Sequence, residues 1–107
     1  MSDLDFTICC TVTFFSKKRR TPPNLNNGKY CPHLVIKGSD QLLSVNFIDG
    51  EDVIFDKSIR ANALPVNEDI DYSALQVGTE FLIMDSGNIV GEGVVKEIFQ
   101  HKLHGEK

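Results

Sequence analysis

No stretch of this 107-residue chain approaches the ~20 consecutive apolar residues that a membrane-crossing helix requires. The opening residues, Met1-Ser2-Asp3-Leu4-Asp5, are acidic, without the basic start and apolar middle of a secretory signal. Both absences make the cytoplasm the expected compartment, with no membrane partner. Cysteine is scarce and odd in number: Cys9, Cys10 and Cys31. Cys9 and Cys10 are adjacent, so on a strand they point to opposite faces and do not easily pair. A disulfide framework is not expected. No long amphipathic helical pattern occurs, and no internal repeat or linker. The length suits one domain, residues 1–107, with its core at about 5–99 and a flexible tail at 100–107. A basic excess is missing too, since the formal net charge is −4. The basic residues concentrate once, at Lys17-Lys18-Arg19-Arg20, while acids gather at 49–56 and 68–71.

What is present is period two. Phe6, Ile8, Cys10, Val12 and Phe14 alternate with Thr7, Cys9, Thr11 and Thr13, which is the pattern of a half-buried strand. The basic stretch and the Pro-, Asn- and Gly-rich residues to Tyr30 read as a long loop. His33 to Lys37 and Gln41 to Ile48 read as strands around a turn at 38–40. A turn follows at 49–52, then a short strand at 53–55. Ser58 to Val66 is a strand of weaker character, because Pro65 removes a ladder donor. One helical turn is expected over Asp71 to Leu75. Thr79 to Met84 and the residues from Ile89 onward form a hairpin about the turn formers Asp85-Ser86-Gly87-Asn88. Gly91 and Gly93 within its second strand predict a bulge or a close backbone approach. Short strands divided by Gly and Pro turns point to an all-β sandwich or barrel, and a small closed barrel suits this size.

Catalytic patterns are weak. No Gly-x-x-x-x-Gly-Lys-Ser/Thr cradle exists: Gly28-Lys29 is followed by Tyr30, and Pro23 stands five before Gly28. Nucleotide hydrolysis is therefore not expected. No spacing singles out a triad. Cys31 and His33 share a strand face but lack a third orienting group. Neither they nor His101 and His104 form the four-ligand set of structural zinc. The expectation is a non-enzyme without cofactor or metal.

Three stretches, in order and correctly spaced, resemble one family. Phe6 to Phe15 resembles an opening strand. Arg19-Arg20-Thr21-Pro22 with Gly28-Lys29-Tyr30-Cys31-Pro32-His33 is similar to Arg-His-Thr-Pro followed by Gly-Tyr-Arg-Pro-Gln. Gly78 to Val95 is similar to a closing hairpin ending Thr-Val-Gly-Ala-Gly-Val-Val. The family is the C-terminal β-barrel (third) domain of translation elongation factor Tu. The resemblance implies a closed six-stranded antiparallel Greek-key barrel. It implies descent from a domain that touches the T-arm of aminoacyl-tRNA, packs on a GTPase domain and meets an exchange factor.

Position by position, the resemblance retains Arg19 and Thr21 and keeps positive character at Arg20. Cys31 stands where the family has arginine, His33 where it has glutamine, and Asp71 where it has lysine. Met84 and Asn88 replace two arginines, and Ser86 a glycine. Four cations are lost at aligned positions and one becomes an anion, which removes most of the phosphate affinity and argues against tRNA binding in the ancestral mode. The expected role is a non-catalytic module that binds another protein. The alternative is an RNA- or tRNA-binding accessory of translation using residues 17–20. The candidate binding residues are Lys17, Lys18, Arg19, Arg20, Thr21, Tyr30 and His33, with Tyr30, Pro32 and Phe15 as a possible apolar platform beside the basic loop.

Overall fold

The computed structural model describes residues 6–17 and 20–101. Lys18, Arg19, His104 and the outer ends of both termini lie outside the described residues. Six strands are present and no helix among the described residues: β1 (Phe6–Phe14), β2 (His33–Ile36), β3 (Leu43–Gly50), β4 (Ser58–Pro65), β5 (Glu80–Asp85) and β6 (Asn88–Gln100). They close into an antiparallel barrel in the order β1-β4-β3-β2-β5-β6, with β6 returning to β1. Strands β2, β3 and β4 are consecutive neighbours, and β1 lies beside β4, which is a Greek key. Closure pairs each strand with two neighbours and leaves one-sided pairing only at the ends, as where Glu97 to Gln100 of β6 pair with β1 alone.

The alternation in β1 sets one wall of the core. Ile8, Cys10, Val12 and Phe14 are buried and face Leu34, Leu43, Val45, Phe47, Phe81, Ile83 and Val95. The other face of β1 carries Thr7, Cys9, Thr11 and Thr13. Gly91 and Gly93 are required by close approach. A Cβ on Gly93 would lie 2.5 Å from the Thr11 carbonyl oxygen and 2.7 Å from the Phe81 ring. Both register shifts of β6 place the extra residue on this strand: Val90, beside Gly91, where Ile83 pairs with Gly91 and Met84 with Ile89, and Lys96, where Cys9 pairs with Glu97 and Cys10 with Val95. The hairpin turn is tighter than expected, because Asp85 pairs with Asn88 around Ser86 and Gly87. Both turn residues have positive φ, 55° and 83°. That is the signature of a type I′ connection, whose twist matches the flanking strands.

Three sequence expectations need correction. Asp49 and Gly50 belong to β3, not to a turn, because a register shift between Phe47 and Asp49 lets Asp49 pair with Asn62 and Gly50 with Ala61. Residues 53–55 are not a strand: Val53 and Phe55 pack partly against the core from a loop. That loop turns through the Lys57 N–H to Ile54 carbonyl bond and Asp56 at φ 66°. Residues 71–75 make one turn, closed by the Leu75 N–H to Tyr72 carbonyl bond, without becoming helix. Pro65 sits at the end of β4. Strand β6 runs through Gln100, one residue into the segment expected as tail.

Strands β1, β3 and β5 run one way and β2, β4 and β6 the other. Loops 15–32, 51–57 and 86–87 therefore gather at one rim, called upper here. Loops 37–42 and 66–79 gather at the lower rim, which Tyr72 and Leu75 close by packing into the core. The Tyr72 hydroxyl donates to the Ser44 carbonyl and accepts the N–H groups of Val66 and Asn67, both at 3.3 Å.

Candidate functional site

The upper rim holds most of the residues singled out from sequence. Lys17, Arg20 and Thr21 are exposed there. Loop 15–32 is pinned on both sides of this stretch. The Ser16 N–H donates to Asp56 Oδ1 at 3.2 Å. Asn26 forms a reciprocal pair with the end of β3: its Nδ2 donates to the Gly50 carbonyl at 3.0 Å, and its Oδ1 accepts the Gly50 N–H at 3.1 Å. Leu25 is driven into the core beside it, 1% exposed. Tyr30 is half-buried over the rim, its ring stacked 5.9 Å from Phe47 and tilted 6.0 Å from Phe14. His33 lies on β2 between Ser44 of β3 and Met84 of β5. Lys29 and Lys57 are exposed at the same rim, but so are Glu51, Asp52 and Asp56. Its charge is mixed. Asp71 lies at the lower rim, where its carboxylate accepts the Ser73 N–H at 2.9 Å. It does not face Lys17 and Arg20, so repulsion from Asp71 does not act on an anion held at the upper loop.

The cysteines are separated, and all three are free thiols. Cys10 points inward and donates to the Ala61 carbonyl at 3.5 Å. Burial, then the neighbouring Cys9, push its thiol up to about 12. Cys9 faces an outer groove of about 620 Å³ shared with Asp49, Arg60, Asn62, Lys96 and Glu97. Partial burial, then Glu97 and Asp49, raise its pKa, which disfavours the nucleophilic thiolate. Cys31 is exposed. Among the described residues no group of three or more His, Cys, Asp or Glu side chains is placed to hold a metal ion.

The two outer walls differ in chemistry. The wall of β4, β1 and β6 carries Thr11, Thr13, Arg60, Asn62, Glu92 and Glu97, with Phe99 49% exposed near the end of β6. The wall of β3, β2 and β5 carries apolar side chains set among His33, Ser44 and Asn46. Phe81 and Ile83 point inward, so Leu82 and Met84 point out. Val35 pairs with Leu82, and His33 with Met84. Leu42, just before β3, is 47% exposed, and Val66, just after β4, is 50% exposed. Ile89, opposite Met84, is 39% exposed. Val35 itself is buried at 8% exposure, and the others form an apolar strip interrupted by His33 and Ser44 on the outside of the barrel. Sequence reasoning passed over it, although a signal existed. The runs Leu34-Val35-Ile36 and Phe81-Leu82-Ile83-Met84 do not alternate, and an unbroken apolar strand is one with both faces suited to cover.

No protein-family model matches the chain, and no curated protein matches it.

Proposed function

We propose that the chain is a non-catalytic β-barrel module that binds another protein through its outer β4-β3-β2-β5 wall, in a fold descended from the third domain of elongation factor Tu. The outward apolar side chains of Leu42, Val66, Leu82 and Met84 carry this reading. Outward apolar side chains grouped on one side of a small domain suit a protein interface. The raised pKa values of Cys9 and Cys10 and the missing phosphate cradle support a role without catalysis. The mixed charge of the upper rim favours protein over RNA as the ligand, since phosphate binding calls for a concentrated cationic surface.

Site-specific photo-crosslinking in cells tests the proposal. A photoreactive residue at position 42 is expected to give discrete protein adducts. The same residue at position 13, on the other wall, is expected to give none. Adducts from both positions alike, or RNA adducts from position 17, would overturn it.

A further inference from the structure

We infer that the apolar strip receives a cationic amphipathic segment of the partner, with apolar side chains against Leu42, Val66 and Leu82 and lysine or arginine against Asp40, Glu68 and Asp69. The inference rests on the preceding reading that this wall binds protein, and adds the chemistry of what it binds.

Charge is segregated on the molecule. Asp40 precedes Leu42 by two residues in the exposed 37–42 loop, and Glu68 and Asp69 follow Val66 in the exposed 66–79 loop. Beyond Leu82 the border is Glu92, its cross-strand partner on β6. Lys37 lies at this border and is already held between two carboxylates, 3.2 Å from Glu80 and 3.4 Å from Glu92. Those three side chains together still carry one net negative charge. The other described lysines and arginines lie at the upper rim or beside Cys9 rather than along the strip. Lys17, Arg20, Lys29 and Lys57 belong to the upper-rim loops, and Arg60 and Lys96 line the groove beside Cys9. The strip is thus an apolar track whose lower end is bordered by anions.

That pattern selects among occupants. Two copies packed in parallel through this wall would bring Asp40, Glu68 and Asp69 against their own equivalents, and like charges brought together oppose association. An anionic lipid surface is repelled for the same reason. A protein segment alternating apolar with cationic side chains satisfies both parts of the surface at once. In this wall β3 and β2 are already paired on both sides, so recognition there falls to side chains.

A random peptide library displayed on phage, panned against the full chain, tests this. Selected peptides are then synthesised and titrated by fluorescence anisotropy. Enriched peptides are expected to carry lysine or arginine beside apolar positions and to bind more weakly as salt rises. Leu42→Asp is expected to weaken them about tenfold or more. The charge reversal Glu68→Lys/Asp69→Lys, on an exposed loop, is expected to weaken them mainly at low salt. Circular dichroism confirms that each variant is folded. Neutral or acidic peptides that still depend on Leu42 would overturn the cationic partner and leave protein binding standing. Peptides indifferent to Leu42→Asp and to Met84→Lys would overturn both. A concentration-dependent dimer abolished by Leu42→Asp would assign the strip to a second copy and overturn the inference.

Discussion

Two single residues expose how tightly this barrel is drawn. Gly93 is in ordinary extended backbone, so its requirement is spatial: a methyl group there meets the Thr11 carbonyl and the Phe81 ring, both well inside contact distance. Gly93→Ala is expected to cost ~1–3 kcal/mol, as overpacking does in a filled core. Urea denaturation measures it, and an unchanged midpoint would show that β6 can shift away from β1. Cys10 sets a pH dependence. Its folded thiol keeps its proton up to about 12, against an ordinary value of 9.0. Between those values the unfolded chain binds fewer protons than the folded one, so stability falls as pH rises. The contribution is fully present below pH 9.0 and is lost on approach to 12. Lys37, raised by its bonds to Glu80 and Glu92, pushes in the same direction, so a comparison at constant Lys37 is needed. Cys10→Ala is expected to start less stable and to lose stability less steeply with pH. Parallel curves for the two proteins would refute the assignment.

The long 15–32 connection shows how an element without secondary structure is held. Leu25 is its fully buried anchor, Tyr30 packs on Phe14 and Phe47, and the Asn26–Gly50 pair copies the two-way exchange of a strand ladder. Asn26→Ala removes both bonds and leaves the Gly50 N–H to find water. The expected loss is about 1–2 kcal/mol, a little more than one ordinary hydrogen bond, with faster amide exchange through residues 20–30. Unaltered exchange there would mean that Leu25 and Tyr30 fix the loop without the pair. None of this is legible from sequence, where Pro, Asn and Gly announce only irregular chain. Strand β1 is legible to the residue, because its alternation has one buried and one polar face. The hairpin is legible to within a residue, because Gly87 and Ser86 define the turn. Asp49-Gly50 misleads, since turn-forming residues are placed in a strand by a bulge that only the β4 partner reveals. The candidate site divides in the same way. Lys17, Arg20 and Thr21 stand at the surface as their composition suggests. The apolar strip needs cross-strand register, which brings Val35 beside Leu82 across 47 positions of sequence.

At the scale of the whole molecule, the barrel holds together through pairings between distant segments. β1 pairs with β4 and also closes the barrel against β6, matching Phe6 with Gln100 and Phe14 with Gly91. Only β2–β3, β3–β4 and β5–β6 join strands consecutive in the chain, and the ladder between β2 and β3 is two residue pairs long. The entropy of closing large loops must therefore be met before most of the core is formed. Folding is expected in the millisecond-to-second range typical of non-local β topologies. Val95 is fully buried on β6, at the closing seam opposite Cys10. If the β5–β6 hairpin forms early and docks on β1 late, Val95→Ala should mainly speed unfolding and leave the folding rate nearly unchanged. Stopped-flow chevrons on the wild type and this variant test both statements. Microsecond folding would contradict the topological argument. A folding arm slowed in full proportion to the lost stability would place the β1–β6 seam in the nucleus, and closure of the barrel at the start of folding rather than its end.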